Sequence, residues 1–314
     1  MLISICIPCY CSEHTLPSVV DEVKKEFAKH PEHDYQFVLV NDGSPDGTFE
    51  VIKRLCEQDK KITGVCLSRN FGQHHAIKAG LPYVKGDCVV VMDDDGQHPA
   101  TGIFKLVDKL NEGYDCVAAK FSHKQHSLFK RMTSSLNGKM SEWAGVKPKN
   151  ITFSSFYAWS RMAVDALLQY DSPFVSTGGY LLNVTQRFAN VELEHNERME
   201  GQSGYTLKKL FSLWATTLTS FSVKPLRLAM FLGMLFAVLG FAFGLFVVIR
   251  KLIVPTIAAG YTSTVALLLF IGGVILVFLG LIGEYVGRIY MTISDKPQYL
   301  VRQTVNAEER ERGK

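Results

Sequence analysis

Three consecutive carboxylates, Asp93-Asp94-Asp95, follow the apolar run Val89-Val90-Val91-Met92 and precede Gly96-Gln97-His98-Pro99. Like charges so close repel one another. A hard divalent cation, Mg2+ or Mn2+, is the usual compensation, because it takes carboxylate oxygens and keeps positions for water and phosphate. On extended backbone successive side chains alternate, so Asp93 and Asp95 point to one site and Asp94 away from it. A solvated acidic turn is the alternative reading; the place between an apolar strand and a proline that starts a helix favours the ion. A second loop, Asn41-Asp42-Gly43-Ser44-Pro45-Asp46-Gly47-Thr48, closes another apolar run with an Asp able to accept from a base or a ribose. Its Gly and Ser suit a tight turn, and alone it is ordinary turn chemistry. Arg69, with Asn70 and Gly72, adds a cation to this rim or a partner for one of its carboxylates. Farther along, Arg198-Met199-Glu200-Gly201-Gln202-Ser203-Gly204-Tyr205 sets a guanidinium capable of bidentate binding in a glycine-containing loop ahead of Lys208 and Lys209. That loop can hold an anion, or it is a surface loop before an interfacial helix.

These residues need a scaffold that brings distant loops together. Apolar, β-branched runs at 3–7, 36–40, 62–67, 88–92 and 116–118 read as strands, and helical patterns fill the intervals near 16–29, 47–59, 73–84 and 101–112. Strand alternating with helix predicts an α/β domain with a mostly parallel sheet covered on both faces. Ligands of such sheets bind beyond the carboxyl ends of the strands. That rule selects Pro8-Cys9-Tyr10, the loop at Asp42, the loop at Arg69 and the loop at Asp93.

The remainder of the chain has a different composition. Residues 228–249 and 252–283 contain no charged side chain, the second stretch being interrupted by Pro255 and Gly260. About 20 apolar residues in a helix cross a hydrocarbon core of ~30 Å, so membrane spans are expected at 228–249 and 263–285, a pair of buried core helices being the alternative. Glycines 233, 240, 244, 272, 273, 280, 283 and 287 recur on spacings that let two helices approach closely. Between Thr206 and Pro225, the residues Leu207, Leu210, Phe211, Trp214 and Leu218 fall at helical spacing beside Lys208 and Lys209. This predicts an amphipathic helix in the headgroup region, or one packed on the soluble domain.

Charge gives an orientation. Of 34 Lys+Arg and 30 Asp+Glu, nine basic and five acidic residues lie from 227 onward, so the net +4 belongs to the flanks of the apolar stretches. Basic residues before the first span and after the second outnumber Arg250 and Lys251 in the turn, which predicts both termini in the cytoplasm. The first ten residues have no basic leader and do not read as a signal peptide. All seven cysteines precede residue 117, an odd number that suits a reducing compartment. The composition, 47% hydrophobic and 20% charged, excludes a disordered chain, and no basic face for nucleic acid is present.

Taken in order, Pro8-x-Tyr10-x-x-Glu13, Asn41-Asp42-Gly43-Ser44, Arg69-Asn70-Phe71-Gly72, Met92 to Pro99, Arg198-x-x-Gly201-x-Ser203-x-Tyr205 and Gly283-Glu284-Tyr285-x-Gly287-Arg288 resemble glycosyltransferase family 2. More narrowly they resemble its polyprenyl-phosphate glycosyltransferases. The resemblance implies a GT-A-like catalytic domain over 1–205, an interfacial segment over 206–226, two transmembrane helices within 227–287 and a cytoplasmic tail over 288–314. It implies an inverting, metal-dependent transfer of a sugar from a nucleotide-diphosphate sugar, a UDP-sugar favoured, to a polyprenyl (undecaprenyl) phosphate at the cytoplasmic face of the cell membrane. By the same resemblance Asp42 and the Pro8–Tyr10 loop hold base and ribose, and Glu13 contacts the nucleotide end. Arg69 lines the donor site; Asp93, Asp95 and Gln97 meet the metal and the diphosphate; and Arg198, Ser203 and Tyr205 contact phosphate. It allows a homo-oligomer, a tetramer.

Two positions depart from the family pattern. Gly204 stands where relatives commonly have Lys, and Ser155-Phe156-Tyr157 where many have Asp-Phe-Arg, so no general base is assigned. A membrane-tethered nucleotide-sugar-binding regulator without transfer activity, and a family 2 transferase with a non-lipid or polysaccharide acceptor, are the competing expectations.

Overall fold

The computed structural model describes residues 1–121, 151–170, 177–194, 224–253, 260–294 and 297–307. Among them the strands are β1 (Leu2–Cys9), β2 (Asp34–Asn41), β3 (Ile62–Leu67), β4 (Cys88–Val91), β5 (Cys116–Phe121), β6 (Tyr157–Ser160), β7 (Phe188–Leu193) and β8 (Val301–Val305). The helices are α1 (Leu16–Phe27), α2 (Thr48–Gln58), α3 (Gln73–Gly80), α4 (Thr101–Asn111), α5 (Arg161–Gln169), α6 (Thr177–Val184), α7 (Lys224–Ile253) and α8 (Tyr261–Ile293). One sheet holds all the strands in the order β7-β5-β6-β4-β1-β2-β3-β8.

The first four strands form because their β-branched residues are buried on both faces. Ile3, Ile5 and Ile7 join Leu16, Val20, Ile52 and Ile103 in one core. Cys6, Val38, Val40, Val89 and Val91 join Ile77, Val164 and Leu167 in a second core on the other face. With both faces covered, the loops at the carboxyl ends of β1 to β4 are left to bind ligand. The sheet is mixed but mostly parallel, as expected, with only β6 and β8 of the eight described strands reversed. β1 pairs in parallel with β2 and β4, β2 with β3, and β5 with β7. β6 runs antiparallel to β4 and β5, and β8 antiparallel to β3. The strands that make it mixed are short segments from beyond residue 150, outside the regular strand and helix alternation that predicted a parallel sheet.

The chain after the second apolar stretch corrects the expectation of a tail from residue 288. The helix α8 continues to Ile293, and Val301–Val305 then covers the β3 edge. The described residues 297–307 belong to one compact unit with those of 1–121, 151–170 and 177–194. Asn306, in the left-handed region with φ of 52°, secures this strand. Its Nδ2 donates to the carbonyls of Cys56 at 2.6 Å and Ile62 at 3.1 Å. Asn306→Ala is expected to destabilise this unit by about 1–3 kcal/mol, since two buried acceptors lose their donor and Ala is strained at that φ. Denaturant unfolding checks this, with Asn306→Gly retaining the backbone freedom and so isolating the side-chain part.

In the second unit, α7 and α8 contain the expected spans and extend past them, with 30 and 33 residues. At 1.5 Å per residue they run roughly 45 and 50 Å, longer than a ~30 Å hydrocarbon core. Both are long and apolar enough to cross a membrane, with mean hydropathy 2.3 over Ala229–Phe246 and 2.0 over Phe270–Ile293. Among the described residues the glycines do not seat the contact between them. A Cβ added at 240, 244, 272, 273, 280, 283 or 287 meets nothing within 4 Å, and only Gly233 lies near the partner helix, 3.5 Å from Phe278. Aromatic rings fill that contact instead, Phe236 meeting Phe270 edge-on at 5.8 Å. Arg198, Ser203, Tyr205 and the expected interfacial segment up to 223 lie outside the described residues.

Candidate active site

The loops after β1, β2, β3 and β4 meet at one end of the sheet and are tied to one another by side chain to backbone hydrogen bonds. Asp42 is 4% exposed, and its two carboxylate oxygens accept the amides of Phe71 and Gly72, each at 2.8 Å. Gly43 adopts a φ of +62°, and a Cβ there would stand 2.3 Å from the carbonyl carbon of Arg69. The second and third loops therefore touch backbone to backbone, which only glycine permits. Glu13 accepts the Gly47 amide at 2.8 Å, and Thr48 Oγ1 accepts the Ser12 amide at 2.9 Å, so the first and second loops are joined as well. Arg69 is exposed, with its guanidinium 4.3 Å from the centre of the Phe71 ring, and forms no ion pair among the described residues. Tyr10 is half exposed at the rim.

The three Asp side chains take different hydrogen-bond partners. Asp94 turns to the first loop and accepts the Tyr10 amide at 3.0 Å. Asp95 accepts the amide of Gln97 at 3.1 Å within its own turn. Asp93 accepts from Gln73 Nε2 at 2.6 Å and lies 3.6 Å from His98 Nε2. Burial pushes the Asp93 carboxyl up to about 6, the charges of Asp95 and Asp94 add to the rise, and hydrogen bonds from Ser155 and Gln73 oppose it. Asp94 is raised too, first by burial. The position of Asp93 thus lacks positive charge. Among the described residues no group of three His, Cys, Asp or Glu side chains gathers to cage an ion. Two hard carboxylates at an undercharged loop fit Mg2+ or Mn2+ shared with phosphate oxygens and water, the coordination such ions adopt at phosphate sites. Gln73 and Ser155 carry no motif of their own, and sequence reasoning did not place them beside Asp93.

A mixed α/β sheet with carboxylate-bearing loops at one end, followed by two long apolar helices, defines the class of GT-A-type glycosyltransferases. The chain belongs to glycosyl transferase family 2, whose model matches residues 4–167, and a second model, the GtrB C-terminal hairpin, matches 224–289. It is 34% identical to the undecaprenyl-phosphate 4-deoxy-4-formamido-L-arabinose transferase of Yersinia pestis (strain Pestoides F), over 98% of this chain and 95% of that protein. It is 32% identical to the uncharacterized glycosyltransferase YkcC of Bacillus subtilis (strain 168), over 97% of this chain and 94% of that one. The fold is shared with glucosyl-3-phosphoglycerate synthase from Mycobacterium tuberculosis, solved with Mn2+ and UDP-glucose, at a TM-score of 0.51 and 19% identity. That likeness covers 69% of this chain and 76% of the other.

Proposed function

We propose that this glycosyltransferase moves a sugar from a nucleotide-diphosphate sugar to a polyprenyl phosphate, undecaprenyl phosphate being the acceptor of choice. The observation that carries this reading is the conjunction of one loop cluster bearing Asp42, Asp93 and Asp95 with two helices long enough to bring the enzyme to a lipid substrate. Relatives that match over nearly the whole chain and are named for undecaprenyl phosphate support the acceptor. The Mn2+ and UDP-glucose bound by the M. tuberculosis enzyme agree with a metal-assisted nucleotide-sugar donor.

Asp93, Asp95 and Gln97 would hold a divalent ion, which when bound neutralises charge on the diphosphate leaving group. Asp42, fixed by the Phe71 and Gly72 amides, shapes the nucleotide end together with the Pro8–Tyr10 loop, Glu13 and Arg69. The lipid phosphate supplies the electron pair. Its oxygen bonds to the anomeric carbon from the face opposite the diphosphate as the bond to the diphosphate oxygen breaks, inverting the centre. With a second pKa near ~6 a phosphate monoester is already mostly ionised at neutral pH, so the step needs positioning more than a base. This agrees with Ser155 standing where many relatives have Asp. Arg198, Ser203 and Tyr205 are assigned to phosphate binding by family pattern.

A chain that crosses a bilayer twice, as α7 and α8 are long and apolar enough to do, returns to the side it left. With the basic flanks, this supports cytoplasmic termini and a catalytic domain on the cytoplasmic face of the plasma membrane. The test is a panel of nucleotide sugars with Mn2+, with and without undecaprenyl phosphate. Nucleoside diphosphate release that requires the lipid is expected with at least one donor, whereas tight donor binding without transfer identifies a regulator.

The raised Asp93 gives a pH prediction. A proton and a divalent ion compete for this carboxylate, and the protonated form prevails below about pH 6. Mn2+ affinity measured calorimetrically in the presence of UDP is expected to be level above neutrality and to weaken towards tenfold per pH unit below ~6.

A further inference from the structure

His98 is 3% exposed and is not required by the chemistry above. Its ring is stacked 4.8 Å from Phe156 and 5.8 Å from Phe121, with interplanar angles of 9° and 7°, so two near-parallel rings restrain its orientation. Its Nδ1 accepts the backbone amide of Asp93 at 3.0 Å. That bond places the ring proton on Nε2, since the hydrogen bond at one imidazole nitrogen sets the tautomer at the other. The Nε2 atom lies 3.4 Å from Ser155 Oγ and 3.6 Å from Asp93 Oδ2. Ser155 in turn hydrogen bonds the Asp93 carboxylate. The path leaves Asp93 by its amide, crosses the imidazole and Ser155, and returns to the Asp93 carboxylate.

We propose that His98 and Ser155 are positioning residues that lock the Asp93 loop and carboxylate in the orientation needed for the divalent ion. The inference rests on the reading above for its ion, while the hydrogen-bond ring is a feature of the chain by itself. A hydroxyl suffices at position 155 because its task is to complete that ring. An imidazole suits position 98 because it alone accepts from the loop amide at one nitrogen and donates at the other while packing flat against phenyl rings.

The substitutions H98N, H98Q and S155A separate the two halves of the ring. Asn places an acceptor where Nδ1 stands and loses the distal donor, Gln supplies the distal donor and loses the proximal acceptor, and S155A removes the return to the carboxylate. The full chain in detergent is tested by calorimetric titration of Mn2+ in the presence of UDP and by hydrogen exchange of the 92–98 segment without metal. S155A and H98N are expected to weaken Mn2+ about tenfold, the usual effect of removing an outer partner of a metal ligand, at unchanged affinity for UDP alone. H98Q is expected to speed exchange at the Asp93 amide, and H98N to leave it slow. Native Mn2+ affinity in both S155A and H98N would overturn the proposal, as would equal exchange in H98N and H98Q. If the His98 variants do not fold, S155A decides by its Mn2+ affinity. If the wild-type chain binds no Mn2+ with UDP, the metal part of the proposed function fails, and the contrast in exchange between H98N and H98Q still decides the ring.

Discussion

Asp95→Asn is expected to lower the transfer rate by about a thousandfold while leaving the fold intact. The substitution keeps an oxygen to accept the Gln97 amide, so the turn that Asp95 closes is preserved and only the charge is lost. An ion in this loop would then hold the donor diphosphate with one carboxylate fewer. Losing about 4 kcal/mol of leaving-group stabilisation corresponds to that thousandfold. Asp93 is a poorer choice for the same test, because Gln73 and Ser155 both hydrogen bond its carboxylate. Kinetics at saturating donor, with an unfolding curve as control, check the prediction. Undiminished turnover in Asp95→Asn would remove Asp95 from the ion site.

Gly43→Ala is expected to raise the KM for the nucleotide sugar at least about tenfold and to destabilise the domain by about 3 kcal/mol. The new methyl would overlap the Arg69 carbonyl carbon at 2.3 Å and the Asn70 nitrogen at 2.5 Å, backbone atoms that cannot swing aside. Left-handed φ costs a further ~1–2 kcal/mol for any residue with a Cβ, and overpacking about 1–3. The third loop must shift, which breaks the Asp42 bonds to the Phe71 and Gly72 amides and moves Arg69. Gly72→Ala is the control: its φ of +94° imposes strain, yet its Cβ meets nothing within 4 Å. A smaller effect on KM is expected there. Equal effects in the two variants would show that backbone strain, rather than the contact between loops, controls the donor site.

Much of this arrangement was legible in the residues. The strands β1 to β4 announce themselves because burial on both faces demands continuous β-branched runs, such as Val89-Val90-Val91. The helix read as 73–84 ends earlier, at Gly80, since Pro82 turns the chain into a short 3-10 segment at Leu81–Tyr83. Strand β6, Tyr157-Ala158-Trp159-Ser160, escaped notice because four residues at an antiparallel junction need no periodicity beyond their own burial. Strand β8 escaped because Val301-Arg302-Gln303-Thr304-Val305 is a largely exposed edge, identified by its pairing with β3 and not by its apolarity. At the site, the carboxylates and the glycine turn were legible from type and spacing. Their partners were not. Gln73, at the start of α3, and Ser155, in the segment before β6, reach Asp93 from separate elements, and only the fold brings them together.

The central claim is that the chain glycosylates a polyprenyl phosphate. The most direct measurement incubates the full chain in detergent with undecaprenyl phosphate, Mn2+ or Mg2+ and a panel of nucleotide sugars, then analyses the lipid extract by mass spectrometry. A lipid heavier by one sugar residue, dependent on the divalent ion and absent in Asp95→Asn, is the expected result. Donor consumption with no glycolipid from any member of the panel would contradict it.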